Sequence, residues 1–237
     1  EREYIRPDRI RLRANKINYQ KDIKPLHGTA TAGVHGPGAR YEIDATIADI
    51  YLLSADRQSI IGRPTLYAVI DVYSRLIAGF YVGLENPSYV TAMLALVNAM
   101  TDKVQLCQSY GYDIESEDWP SIGIPDAILA DRGELLGYQI EYLEQAFGVR
   151  IENTPPYRGD AKGIVERNFR TLQADFKPFA PGVVTGNIVR KRGGKDYRLD
   201  ATLTLHEFTK IIIGSILHRN QHSVLVKYDR DPEMPDT

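Results

Sequence analysis

The chain has 237 residues, 43% apolar and 25% charged, enough for one large domain or a core with appendages. No apolar run approaches the ~18 residues that span a membrane, and no basic-then-apolar segment opens the chain. A single cysteine, Cys107, excludes an internal disulfide and fits a reducing compartment such as a bacterial cytoplasm, while a net charge of −2 argues against a globally basic nucleic-acid binder.

The chain begins with Glu1 rather than Met and ends in DRDPEMPDT, which reads as a piece of a longer protein. Residues 1–38 form a connector. EREYIRPDRIRLRANKINYQKDIKPL is basic with little periodicity, and GTATAGVHGPGAR is a glycine-rich loop that feeds the first strand. In YEIDATI, Tyr41, Ile43, Ala45 and Ile47 alternate with Glu42, Asp44 and Thr46, so the period of two places Asp44 on the polar face of a strand. Two further strands, Thr65 to Val72 and Leu76 to Val82, joined at Tyr73-Ser74-Arg75, complete an antiparallel meander. Asp71, near that turn, is the rival of Asp44; it reads as a turn aspartate that bonds local backbone or pairs with Arg75.

Ser88 is the expected N-cap of a crossover helix, YVTAMLALVNAMTDKV, whose Val90, Leu94, Val97 and neighbouring alanines and methionines argue that it is buried. LCQSYGYDIESEDWPSIG, polar and acidic around Trp119, reads as a surface insertion. The apolar run Ala127 to Ala130 is a strand covered on both faces, and Asp131 stands at its carboxyl end, where sites form in open α/β sheets.

Leu136, Ile140, Leu143 and Phe147 mark a helix ending at Gly148, and Val149 to Asn153 a last strand stopped by Pro155-Pro156. In AKGIVERNFRTLQADF, Val165, Phe169, Leu172 and Phe176 give a core-facing helical stripe with Glu166 beside it. Lys162, Glu166 and Arg170 are also spaced as an ordinary salt-bridged helix face. A Pro/Gly-rich passage and VRKRGGKDYRL precede a final amphipathic helix carrying Leu205, Phe208, Ile212 and Ile216, which either packs on the core or bridges to a further C-terminal domain. The order βββαβα(β)α is that of an α/β, RNase H-like domain: a mixed five-stranded sheet flanked by helices. Its core spans 39–177, and 178–237 is a basic loop and helical extension.

Four motifs occur in order: IDATIADIYL, LYAVIDVYSRLIAGFYVG, ILADRGE and PPYRGDAKGIVERNFRTL. With Asp44, Asp131 and Glu166 separated by 86 and then 34 residues, they resemble the TnsB-type branch of the DDE transposases, cousins of the phage Mu transposase and of retroviral integrases. The resemblance covers roughly residues 30 to 230. Arg132-Gly133-Glu134 departs from the Asn-Gly that follows the second aspartate in many integrases.

The resemblance implies a DNA transposase core that nicks transposon 3′ ends and joins the 3′-OH to target DNA. Asp44, Asp131 and Glu166 are then both the catalytic and the metal-holding residues, with Asp44 bridging two Mg²⁺ ions, for which Mn²⁺ substitutes. It also implies a AAA+ ATPase regulator, a companion endonuclease for the other strand, and an oligomer assembled on transposon-end and target DNA in a bacterial cytoplasm.

Charge is distributed to suit that reading. Residues 40–157 carry seventeen acids against seven Lys or Arg, whereas residues 1–25 carry eight bases against four acids and residues 158–198 ten against four. With the family match, Arg132, Arg158, Lys162, Arg170, Lys191 and Arg192 become candidate phosphate contacts. Two alternatives stay open: a metal-dependent nuclease of the same fold, and a catalytically silent domain that binds DNA or protein. No P-loop appears, so ATP use falls to a partner.

Overall fold

The computed structural model describes residues 33–130, 144–153, 163–184 and 196–223. Within them, seven strands form in chain order: β1 (Tyr41–Ile47), β2 (Leu52–Leu53), β3 (Ile60–Gly62), β4 (Thr65–Asp71), β5 (Ile77–Gly83), β6 (Ala127–Ala130) and β7 (Arg150–Asn153). The α-helices are α1 (Tyr89–Met100), α2 (Val104–Ser109), α3 (Gly163–Phe176) and α4 (Leu205–His222). None of these helices is long and apolar enough to cross a membrane.

Five strands make one mixed sheet in the order β5-β4-β1-β6-β7. β1 is central, antiparallel to β4 with Asp44 opposite Ala68, and parallel to β6 with Tyr41 opposite Ile128. β4 pairs antiparallel with β5, and β6 parallel with β7. This is the RNase H-like arrangement that the element order implied. The expected meander is present, but β2 and β3 interrupt it as a separate two-stranded sheet. Elements of two and three residues are too short to show a period.

The pleat divides the sheet into two buried faces. Tyr41, Ile43, Tyr67 and Val69 pack on one side with Ala92, Ala95, Leu96 and Ala99 of α1. Leu66, Ala68 and Ile70 pack on the other with Val165, Phe169, Leu172 and Phe176 of α3 and with Phe208, Ile212 and Ile216 of α4. Fully burying each large side chain contributes ~1.5–3 kcal/mol, so the stripe on α3 is its anchorage.

α1 begins where expected, with Ser88 and Thr91 in a reciprocal capping box. Of the residues that argued for burial, the alanines face the sheet, while Val90, Leu94 and Val97 are 65%, 46% and 57% exposed. The reason is distance. A Cβ built on Gly79 of β5 would lie 2.5 Å from the Ala99 backbone, so the helix rides too close to the strand for larger side chains.

The acidic stretch around Trp119 is likewise not a mere surface insertion. Trp119 is buried, stacks on Phe80 with centroids 6.0 Å apart, and donates from Nε1 to Ile77 O at 2.8 Å. Ile77 lies on β5, an edge strand of the sheet, whose backbone is also met by Asn220 (Ile77 N to Oδ1, 3.0 Å), Asn98 (Phe80 N to Oδ1, 2.9 Å) and Ser121 (Oγ to Ala78 O, 2.6 Å). Side chains thus occupy an edge that would otherwise template another strand.

Lys103, on the loop from α1 to α2, is buried beneath that stretch. Its Nζ donates to Ala99 O at 3.1 Å, to Ser121 Oγ at 2.9 Å and to Ser121 O, and lies 5.9 Å from the Trp119 ring centroid. Burial pushes its pKa from 10.5 down to about 8, with Asp102 only partly opposing the shift. Below pH 8 the ammonium is carried in both folded and unfolded chains, and folding bears the full cost of burying it. Above 10.5 it is neutral in both and the cost disappears. Stability from this group therefore increases as pH rises from about 8 and is lost as pH falls through that value. Cys107 and Tyr41, pushed up to about 11 and 12, act in the opposite sense from about pH 9 upward. Denaturant unfolding at pH 8 and pH 9 should show the wild type gaining about 1 kcal/mol on Lys103→Met over that interval. A constant difference would exclude Lys103 as the titrating group.

Candidate active site

The polar row of β1, Glu42, Asp44 and Thr46, faces the side of the sheet that α3 covers. Because β1 is central, this row is not a solvent face as alternation alone suggests. Glu42 is fully buried, with Ile70 and Leu129 opposite it on the two neighbouring strands. A carboxylate in such surroundings needs partners. One is the backbone of α3: Val165 N–H donates to Glu42 Oε2 at 3.1 Å. Val165 is the third residue of that helix, whose first turn has N–H groups without intrahelical acceptors and carries the positive end of the dipole.

This bond places the residue before Glu166 against the strand position two before Asp44. Asp44 is half-buried on β1. Glu166 is exposed on the first turn of α3 and, like the exposed Arg170, forms no ion pair among the described residues. The salt-bridged face suggested by their spacing is therefore absent between these two. Asn168, one residue beyond Arg167, is buried; its Nδ2 donates to Ile164 O at 3.0 Å, and its Oδ1 has no hydrogen-bond partner among the described residues.

Two neighbouring aspartates are committed elsewhere. Asp71 lies opposite Tyr41 in the β1–β4 register, at the far end of β4 from Thr65. Its Oδ2 accepts from Ser74 N at 2.8 Å and Ser74 Oγ at 2.5 Å, and its Oδ1 from Gly38 N at 3.0 Å. It is a turn aspartate. Asp49, just beyond β1, accepts from Arg63 at 2.5 Å and Lys177 at 2.8 Å.

Asp131 and the basic residues Arg132, Arg158, Lys162, Lys191 and Arg192 lie outside the described residues, so the described part of the candidate site is Asp44 and Glu166 on their two elements. Both side chains offer oxygen only, the donor type that a hard divalent cation takes, and among the described residues no cation pairs with Glu166. Sequence reasoning missed Glu42. Its signal was present, since the period of two sets it on the Asp44 face, but only the docked helix shows what that carboxylate meets.

Comparison with known proteins bears directly on these elements. The family model described as the TnsB C-terminal domain matches residues 42–182, from Glu42 on β1 to just beyond α3. The chain is 58% identical over 236 residues, 99% of its length, to the transposon Tn7 transposition protein TnsB of Escherichia coli, covering 34% of that protein. It is 27% identical over 152 residues to the transposase for transposon Tn552 of Staphylococcus aureus, covering 64% of this chain and 29% of that one. The chain thus spans about a third of the length of the curated relatives it matches. Among solved structures, a chain of the simian T-cell lymphotropic virus intasome in complex with a PP2A regulatory subunit is 13% identical with a TM-score of 0.49, covering 81% of this chain and 51% of that one. The catalytic core domain of BIV integrase is 14% identical with a TM-score of 0.42, covering 80% and 88%. The matched model spans more than half of the chain and includes both described acids, and on that ground the chain belongs to the TnsB C-terminal domain family.

Proposed function

We propose that this chain is the catalytic core of a DNA transposase that nicks transposon 3′ ends and joins the resulting 3′-OH to target DNA. The observation that carries the reading is the α3–β1 bond. Val165 N–H on Glu42 brings the turn bearing an exposed Glu166, which no cation among the described residues pairs with, to the strand bearing Asp44, within a chain of the TnsB C-terminal domain family. The register of β1 on β6 supports a third member. Tyr41 pairs with Ile128 and Glu42 with Leu129, and the same numerical offset separates Asp44 from Asp131.

In this reading Asp44, Asp131 and Glu166 hold two Mg²⁺ ions, with Mn²⁺ as a substitute. Such ions activate an attacking oxygen and stabilise the leaving one during in-line displacement at phosphorus. The protein's part is geometric and electrostatic. Strand and helix hold the carboxylates on rigid elements, and the water or ribose hydroxyl is presented to the phosphate from the same place in both steps. The bases at Arg132, Arg158, Lys162, Arg170, Lys191 and Arg192 take the DNA backbone on either side. A AAA+ ATPase regulator, a companion endonuclease, assembly as an oligomer on transposon-end and target DNA, and a bacterial cytoplasmic location follow from the same reading.

In the full-length protein, Asp44→Asn, Asp131→Asn and Glu166→Gln should each lower end nicking and joining more than ~100-fold in Mg²⁺ while end-DNA binding stays within a few-fold. Activity retained by any one of them removes that residue from the site. Nicking without joining by the wild type would instead mark a nuclease.

Asp71→Asn separates the two aspartates. It weakens the turn bonds to Ser74 and Gly38, so unfolding should show a loss of ~1–2 kcal/mol with metal-dependent activity intact at a permissive temperature. Abolished activity at unchanged stability would transfer the Asp44 role to Asp71.

Changing Lys191 and Arg192 together to Ala should weaken binding to all DNA sequences alike and flatten the slope of log affinity against log salt by about two. An unaltered slope would place the DNA path elsewhere.

A further inference from the structure

Glu42 is the one fully buried carboxylate of the described core, and it stands on the central strand rather than at an edge. Ile70 and Leu129 flank it across the sheet, and Val165, whose N–H it accepts at 3.1 Å, belongs to the same apolar cluster as Ile70. A glutamate in that position costs stability relative to an apolar residue of similar size, because both its oxygens are removed from water. Nor does α3 need it in order to dock, since Val165, Phe169, Leu172 and Phe176 already bury the length of the helix. What a hydrogen bond adds to such packing is direction. An apolar stripe tolerates small slides and rotations, whereas an acceptor at 3.1 Å from one N–H in the first turn does not.

We propose that Glu42 is a positioning residue: by accepting the Val165 N–H from within β1, its carboxylate fixes the first turn of α3 and so sets the separation of Glu166 from Asp44. The inference rests on the reading of Asp44, Asp131 and Glu166 as the metal-holding set. The role belongs to the acceptor oxygen and its reach, not to the negative charge. Glu42→Gln keeps an oxygen at the same distance from the backbone, whereas Glu42→Asp keeps the charge but withdraws it by one methylene. A group acting through charge, including one that binds metal itself, ranks these variants in the opposite order.

The test uses the full-length protein with the wild type, Glu42→Gln, Glu42→Asp and Glu42→Leu. Without metal, hydrogen exchange of the peptide containing Val165 should match the wild type in Glu42→Gln and be at least ~10-fold faster in Glu42→Asp and Glu42→Leu, while peptides of β4 and β5 are unchanged. The Mg²⁺ concentration giving half-maximal end nicking should stay within ~3-fold of wild type in Glu42→Gln and rise at least ~10-fold in Glu42→Asp, with end binding unchanged. If Glu42→Leu does not fold, the Gln and Asp variants still decide the matter. Glu42→Asp performing as well as or better than Glu42→Gln in either readout overturns the inference, as does wild-type exchange at Val165 in Glu42→Asp. Asp44→Asn and Glu166→Gln run alongside: if they are inactive and the Glu42 order is reversed, only the positioning role fails. If they are active, the site reading fails and the inference falls with it.

Discussion

A strand in the middle of a sheet has no solvent face unless a face of the sheet is left bare, and here both faces are covered. β1 is central, α1 packs on one side of it and α3 and α4 on the other, so a polar residue buried on β1, as Glu42 is, must be answered by something inside the fold. That constraint shapes the rest of the molecule. It requires a helix whose N-terminal turn meets Glu42, and that turn carries Glu166 as the next residue after Val165. Moving along β1 from Glu42 to Asp44, the side chain goes from fully buried to partly exposed, which turns a buried structural carboxylate into an accessible one within two residues.

The surrounding acids show how local context sorts the same residue type. Asp71 takes backbone and hydroxyl donors of its own turn, and Asp49 takes Arg63 and Lys177. Both are spent on structure. Glu166 pairs with no cation of its own helix among the described residues, although Arg170 is four positions away. In a chain with an acidic middle and basic flanks, like charges gathered in one region repel each other unless something else supplies positive charge. Divalent cations and the basic flanks drawn along DNA would both do so.

The two faces of the sheet are built on different scales. Alanines and Gly79 let α1 lie close on β5, while α3 and α4 meet the opposite face through phenylalanine, leucine and isoleucine. The close side leaves Val90, Leu94 and Val97 outside, and the bulky side holds the candidate site. Rigid, interdigitated packing under α3 leaves that helix little room to shift against the sheet.

Period-two alternation in YEIDATI, the 3.6-residue stripe from Val165 to Phe176, the cap at Ser88 and the turn at Gly148, whose φ is +67°, were all legible in the chain, because each depends only on near neighbours. So were the strands of the main sheet and the order of the motifs. Three matters were not legible, and all three depend on what comes from far along the chain. In a helix that is apolar all round, which side is inner was settled by how close Gly79 allowed it to approach. The fate of the Trp119 stretch was settled by open hydrogen-bonding groups on β5. The meaning of Glu42 was settled by a helix more than one hundred residues later. Sequence by itself determined the elements and the residues that could carry chemistry; tertiary structure alone decided which faces are inside and which carboxylate meets which backbone, because burial and hydrogen-bond partnership are properties of contacts between segments that no local pattern contains.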